Sequence, residues 1–551
     1  MSNDRARLPI AGMTCSHCET AVRGALAAAG ATDVRADFRR GEATFRLPED
    51  PDPVALQTAV RDAGYRPGEL ERPTPIPTPI TPRRATGADY DLAIVGSGSA
   101  AFAAAIKARE QDARVVMVER GTTGGTCVNI GCVPSKTLLR GAEVYHAAAH
   151  HPFRGIETQA GTVDFSAMVA QKDELVGHLR QAKYANLIDE YDWEFVRGEA
   201  RFVDSTTLAV GERPIRAAHY LVAPGARPAV PPIPGLAEAG YLTSTTAMEQ
   251  STLPRSLVVI GAGYIALEQG QLFRHLGVEV TLLQRGARLL PDYEPEIGAA
   301  VGEVLARAGI PVLTGAQVER VERDGPTRRL HLEVGGQPRV LEAEQILVAA
   351  GRSPNTEALN LPATGIETDG RGAIVTDPQL RTTNPAVFAA GDVTLCPQYV
   401  YVAAYQGGVA ADNALNGANR PCDLTALPGV IFTDPQVATV GVTEAQARAN
   451  GVDVKTAVLP ISSVPRAQVN YEDLGVFKLV ADATTDRVLG AHVVAGNAGD
   501  VIYAATLAVK HGLTVADLVE SFAPYLTMAE GLKLGALAFD RDVSKLSCCA
   551  A

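Results

Sequence analysis

Apolar and polar residues change their period several times along this chain, and each change marks an element. Between about residues 7 and 70 the pattern reads as strand, cysteine-containing loop, helix, two strands and helix. Within it Val34-Arg35-Ala36-Asp37-Phe38 and Ala43-Thr44-Phe45-Arg46-Leu47 alternate as half-buried strands do. A small α+β unit is predicted. A strand is then predicted at Tyr90-Asp91-Leu92-Ala93-Ile94-Val95, followed by Gly96-Ser97-Gly98-Ser99-Ala100-Ala101, a helical run to Gln111, and a second strand over 115–118 ending on Glu119. The same order returns at Leu257-Val258-Val259-Ile260, Gly261-Ala262-Gly263-Tyr264-Ile265-Ala266 and a strand over 278–283 ending on Gln284-Arg285. Beyond about residue 425, Val430-Ile431-Phe432-Thr433-Asp434-Pro435 opens a mixed α/β segment.

Length and composition frame these elements. At 551 residues the chain exceeds what one core organises, and about three to five domains are expected. Residues 71–88 carry Pro73-Thr74-Pro75-Ile76-Pro77-Thr78-Pro79-Ile80-Thr81-Pro82 and read as a linker, which in polyproline geometry reaches roughly 50 Å at about 3.1 Å per residue. The net charge of −12, with no basic cluster beyond Arg83-Arg84, argues against a nucleic-acid partner. Apolar runs are broken by Gly, Ser, Lys or Arg well before a bilayer-spanning length, so no membrane insertion is expected. The start, Met1-Ser2-Asn3-Asp4-Arg5, has no apolar signal region, which points to the cytoplasm. Six of the eight cysteines fall into close pairs at 15/18, 127/132 and 548/549, a distribution that fits thiol chemistry better than a disulfide scaffold. Cys396 and Cys422 stand alone and read as packing or surface residues.

A lone G-x-G-x-x-G/A motif is weak evidence, but the first one here has a strand before it, a helix after it and Glu119 placed 23 residues beyond Gly96, where an acid accepts bonds from ribose hydroxyls. Gly96, Gly98, Ala101 and Glu119 are therefore expected to bind a dinucleotide, its pyrophosphate on the helix N-terminus. The second motif contributes Gly261, Gly263 and Ala266. Its following strand ends without an acid, and Arg285 can pair with a 2′-phosphate, so this site is expected to prefer NADPH over NADH. Two dinucleotide sites imply electron relay. Just after the first lies Gly124-Gly125-Thr126-Cys127-Val128-Asn129-Ile130-Gly131-Cys132-Val133-Pro134-Ser135-Lys136, with both cysteines at the start of an apparent helix, where a thiol's pKa is lowered. It reads as a redox site, the alternative being a buried structural disulfide.

That stretch resembles the signature of the pyridine-nucleotide disulfide oxidoreductases, flavoenzymes that include glutathione reductase and dihydrolipoamide dehydrogenase. Gly12-Met13-Thr14-Cys15-Ser16-His17-Cys18 and Ala63-Gly64-Tyr65 resemble heavy-metal-associated domains, and with Leu546-Ser547-Cys548-Cys549 they make nearly the whole chain similar to the mercury-reducing branch of that family. The resemblance implies an α/β architecture with two Rossmann-like domains and an α+β interface domain, preceded by a ferredoxin-like βαββαβ metal-binding domain. It places the metal-binding domain at 1–70, the FAD domain at 89–227 and 353–425, the NADPH domain at 228–352, and the interface domain with its cysteine tail at 426–551. It implies FAD at the first site, touched also by Gly121, Thr126, Lys136, Ala200 in Gly198-Glu199-Ala200-Arg201-Phe202, Asp392 in Ala389-Ala390-Gly391-Asp392, and Val400. It also implies a Lys136–Glu268 pair beside the flavin, although Glu268 by its position alone could be a solvated helix residue. A homodimer follows too.

The chain departs from the disulfide-reducing members where they place a proton-carrying histidine. Here the run is Phe522-Ala523-Pro524-Tyr525-Leu526-Thr527-Met528-Ala529-Glu530, and a phenol with a pKa near 10 is a poor base at pH 7. Two thiolates at Cys15/Cys18 suit a soft ion of low coordination number, with a thioredoxin-like redox pair as the alternative. Adjacent Cys548-Cys549 would make a strained disulfide and is better suited to passing a soft ion on, unless the tail is incidental. The expectation is a thiolate relay that delivers Hg(II), arriving as a thiolate complex, from Cys15/Cys18 or small thiols to Cys548/Cys549 of one subunit and then to Cys127/Cys132 of the other, where NADPH and FAD supply two electrons. Cys132 is expected to face the flavin. Tyr264 and Tyr525 are expected beside the metal, with simple packing as the alternative for each. Two rival functions remain open: a disulfide reductase with a fused metal domain, and a metal-sequestering protein.

Overall fold

The computed structural model describes residues 5–13, 16–37, 41–47, 52–70 and 88–546. Cys15, Cys548, Cys549 and residues 71–87 of the expected linker lie outside them. The chain divides into two compact units, Met1–Arg83 and Arg84–Ala551.

In the first unit, strands Arg5–Ala11, Thr32–Asp37, Glu42–Arg46 and Arg66–Pro67 alternate with helices Ser16–Ala28 and Pro53–Asp62 in the order βαββαβ. The first strand sits between the third and fourth, antiparallel to both, which gives the ferredoxin-like arrangement. Alternation puts Leu8, Ala43 and Phe45 on the face that meets Val22, Leu26, Leu56 and Val60 of the helices. Asp52 caps the second helix by accepting from the backbone N–H groups of Val54 and Ala55. Cys18 lies on the first helix, partly buried against this core.

The second unit holds two parallel sheets of the same construction. In one, Glu194–Arg197, Val115–Glu119, Tyr90–Val95, Arg213–Val222 and Val387–Ala389 run parallel. In the other, Leu242–Thr243, Gln345–Val348, Ser256–Ile260, Glu279–Gln284 and Val312–Thr314 do so. The strands Tyr90–Val95 and Ser256–Ile260 each lead into a glycine of positive φ, 102° at Gly96 and 121° at Gly261. A Cβ on Gly96 would stand 2.3 Å from the carbonyl oxygen of Ala223, and one on Gly261 would stand 2.3 Å from that of Ala349. The same tight turn at the end of a neighbouring strand thus demands glycine in both loops. Ala101 and Ala266, the third small residues of the motifs, are fully buried beneath their helices. They let helix and strand approach and do not line the nucleotide cavity.

Between the strands Val312–Thr314 and Gln345–Val348 of the second region an antiparallel three-stranded sheet is inserted, Ala316–Asp324, Thr327–Val334 and Gln337–Ala343, its last two strands joined by Gly335-Gly336 with both φ values positive. The C-terminal part is an antiparallel five-stranded sheet, Gly429–Ile431, Gln436–Gly441, Val488–Ala495, Val476–Asp482 and Val454–Pro460, packed on helices Ala498–His511 and Glu530–Leu537. A buried ion cluster fastens it to the second Rossmann-like region. Lys478 Nζ lies 2.9 Å from Glu294, 3.0 Å from Glu296 and 3.1 Å from Glu444. Glu294 also accepts from the backbone N–H of Glu444. No described helix is long and apolar enough to cross a membrane.

Candidate active site

The glycine loops and the cysteine pair open on one continuous cavity of about 1580 Å³. The sequence builds its floor in two short steps. Cys127 lies in the helix Gly125–Ile130, Gly131 breaks that helix, and Cys132 begins the next, Cys132–Ala149. A Cβ on Gly125 would sit 2.5 Å from Gly98 Cα, so the cysteine segment and the first glycine loop touch backbone to backbone. Both thiols are free and half-buried.

Their electrostatics differ sharply. A hydrogen bond from Cys127, above all, brings the Cys132 thiol down to about 7; burial and Glu268 oppose it while Lys136 assists. That same hydrogen bond, with burial, drives Cys127 far up. The pair therefore shares one proton, held on Cys127, with the anion on the residue that starts an 18-residue helix.

Lys136, one turn on from Cys132, reaches Glu268 Oε2 at 2.7 Å. Glu268 is buried, and its other oxygen accepts from the backbone N–H of Phe432 at 2.9 Å. Phe432 in turn places its ring 4.7 Å below the Lys136 ammonium. The structure thus brings Glu268 to Lys136 from a separate helix, Tyr264–His275.

The walls fit FAD along the first loop. Glu119 lines the cavity with one oxygen bonded to Ser97 at 2.7 Å and the other to the N–H of Gly121 at 2.6 Å, both with lone pairs left for ribose hydroxyls. Gly121, Thr126, Asp392 and Val400 line the same cavity, and Val400 is the first residue of a helix, Val400–Asn416. Burial raises the Asp392 carboxyl, and Arg352 at 3.4 Å partly offsets this. Ala200, in contrast, is buried in its strand and contributes nothing to the lining. Along the second loop Gly261, Gly263 and Arg285 face the cavity without a carboxylate at the strand end, as a 2′-phosphate requires.

Two phenols sense the cysteine sulfurs, Tyr184 and Tyr401. Tyr184 sits in a π-helical turn, Gln181–Ala185, with its ring edge-on to Phe102 at 4.9 Å. Sequence reasoning missed it because a π-turn inside a long helix leaves no periodic signal. Tyr264 lines the cavity one turn before Glu268, its ring parallel to that of Tyr399. Tyr525 is half-exposed on the C-terminal part and is not among the residues lining the cavity of its own chain.

Comparison with known proteins agrees with this geometry. Residues 90–407 match the family described as pyridine nucleotide-disulphide oxidoreductase, 427–536 its dimerisation domain, and 7–66 the heavy-metal-associated domain. A mercuric reductase of Staphylococcus aureus is 55% identical over 550 residues, covering 100% of both chains. One of Streptomyces lividans is 50% identical over 84% of this chain and 98% of its own. Among solved structures, the HOCl-induced flavoprotein disulfide reductase of Escherichia coli superimposes with a TM-score of 0.73 at 30% identity, covering 81% of this chain and 99% of that one. Glycine loops, paired cysteines and full-length relatives converge, and the chain belongs to the mercuric reductases within the pyridine nucleotide-disulphide oxidoreductase family, enzymes that use FAD and NADPH.

Proposed function

We propose that the Cys127/Cys132 pair receives Hg(II) from a thiolate complex and holds it while two electrons from NADPH convert it to Hg(0). The shared proton of the pair carries this reading: one thiolate is ready to attack, and the second thiol is held beside it as the next ligand. FAD, when bound, supplies the two-electron path from NADPH. Cys132 attacks the incoming metal and displaces one small thiolate. Cys127 then replaces the other small thiolate, passes its proton to that departing thiolate and closes a two-sulfur complex. When the metal accepts two electrons, both sulfur–mercury bonds break and each sulfur keeps its bonding pair. Lys136 holds positive charge beside Cys132 throughout, and Glu268 keeps that ammonium in place.

The homodimer is proposed to bring Tyr525 and Cys548/Cys549 of one subunit to this pair in the other, with Cys15/Cys18 as an earlier carrier. With a phenol at position 525, slow turnover of disulfides is expected, because they need a proton carrier near neutral pH. We place the reaction in the cytoplasm, where NADPH and small thiols are supplied.

The decisive experiment follows NADPH oxidation anaerobically with excess small thiol, adding Hg(II), oxidised glutathione or lipoamide and trapping volatile mercury. Rapid oxidation with Hg(II) alone, matched by Hg(0), is expected. Rapid turnover of a disulfide with Hg(II) acting only as an inhibitor would sink the reading. Nucleotide choice is separately testable. Replacing Arg285 with Ser removes one charge-assisted contact to the 2′-phosphate, so KM for NADPH should rise roughly 10- to 100-fold, with NADH little affected.

A further inference from the structure

Cys396 and Cys422 stand apart in the sequence and take no part in the mechanism above, but the fold brings them together. Cys396 follows the short turn Gly391–Thr394, which is closed by a hydrogen bond from the Thr394 hydroxyl to the carbonyl of Gly391 at 2.9 Å. Cys422 lies beyond the end of the helix Val400–Asn416, on a segment that this helix holds in place. Buried Asn413 accepts from the backbone N–H of Arg420 at 2.7 Å and donates to its carbonyl at 2.8 Å, and the N–H of Cys422 donates to the carbonyl of Pro378 at 2.8 Å. Both thiols are free and half-buried.

Gln406, on the same helix, joins the two segments. Its side chain is fully buried, and its Oε1 accepts from the N–H of Gly391 at 2.7 Å. Its Nε2 has no hydrogen-bond partner among the described residues, and it faces the Cys422 sulfur, whose charged form it favours. Burial raises the Cys422 pKa, and the nearby charge of Cys396 raises it further. Neither cysteine lines the dinucleotide cavity, nor does Gln406, so the buried amide is not reserved for FAD or NADPH.

We propose that Cys396 and Cys422 form a second two-sulfur site for a soft ion, outside the active site, with the Gln406 amide donating to the metal-bound sulfur of Cys422. A buried amide N–H left unpaired is costly, and a sulfur carrying the charge of a thiolate gives it a partner. Hg(II) suits the site because it accepts two sulfur ligands. Arriving as its glutathione complex, the ion exchanges ligands twice. Each time a cysteine sulfur–mercury bond forms as a glutathione sulfur–mercury bond breaks, and the cysteine proton leaves on the departing glutathione. The proposal stands whether or not Cys127/Cys132 reduces the metal.

The test uses the full chain, loaded with FAD and carrying Cys→Ala changes at Cys15, Cys18, Cys127, Cys132, Cys548 and Cys549. The reduced protein is mixed with Hg(II) in excess glutathione, desalted without oxygen and assayed for mercury. About one Hg(II) per chain should be retained. Adding Cys396→Ala or Cys422→Ala leaves one sulfur without a chelating partner, and retention against glutathione should then fall on the order of 100-fold. Should the sixfold variant lose FAD, the same question is put to the otherwise unaltered holoenzyme without NADPH, where Cys422→Ala should bind one Hg(II) per chain fewer at saturation. No retained mercury in the sixfold variant, equal retention after loss of either remaining cysteine, or an equal count in the holoenzyme would overturn the proposal.

Discussion

Replacing Cys132 with Ser should lower Hg(II)-dependent NADPH oxidation on the order of 10³-fold or more, with no Hg(0) trapped, because it deletes both the attacking thiolate and one metal ligand. A serine hydroxyl is neither ionised at pH 8 nor a ligand for a soft ion. Cys127→Ala should act differently. The hydrogen bond from Cys127 is the largest influence holding Cys132 at about 7, so its loss moves the Cys132 inflection upward. Alkylation of the reduced protein by iodoacetamide, followed against pH, reads this directly. In the unaltered protein the rate should drop as pH falls through about 7, and in Cys127→Ala it should drop at a higher pH. Lys136→Met should move the inflection up and Glu268→Gln down, the signs set by the charge each removes. Persistent mercury turnover in Cys132→Ser would remove the pair from the mechanism.

The second large effect is on stability. Lys478 and Glu294 have side chains only 3% and 2% exposed, so Lys478→Met leaves a buried carboxylate without its counter-ion. Breaking such a pair from one side costs about 3–5 kcal/mol, which should show as a lower urea midpoint for the C-terminal part with little change at the cysteine pair. Burial by itself lowers the Lys478 pKa, but the hydrogen bonds it donates to Glu294, Glu296 and Glu444 outweigh it and hold the group above its ordinary 10.5. A raised folded pKa gives stability that is complete below 10.5 and is lost as pH climbs beyond it. The unaltered protein should therefore weaken in that alkaline range, and Lys478→Met should show a shallower decline there. An unchanged midpoint would mean the cluster adds nothing to docking.

How much of this was legible depends on distance along the chain. Both glycine loops, Glu119, Arg285 and the cysteine pair lie in short contiguous stretches whose chemistry requires those residues at those spacings. The strand, helix, two strands and helix that open the first unit were readable for the same reason, since alternation and helix periods are local, whereas the closing strand Arg66–Pro67 came only with the family resemblance. Glu268 stands 132 positions from Lys136, and only family resemblance joined them before the fold did. Lys478 is 184 positions from Glu294, and no local pattern announces that a lysine in a strand will be buried among three carboxylates. Tyr184 hid in its π-turn, and the parallel rings of Tyr264 and Tyr399 draw on segments whose meeting depends on tertiary packing. Ala101, Ala200 and Ala266 were expected at the nucleotides, and the structure puts all three in the packing behind them.

The two oxygens of Glu268 have a mechanical corollary. One grips the lysine beside the reactive sulfur and the other grips the main chain at Phe432, just past the first strand of the C-terminal sheet. Three segments far apart in sequence therefore hang on a single carboxylate, much as an arch hangs on its keystone. Loosening the C-terminal part, even through a residue that touches no sulfur, should then register at an electrode, as a drift in the midpoint potential of the dithiol.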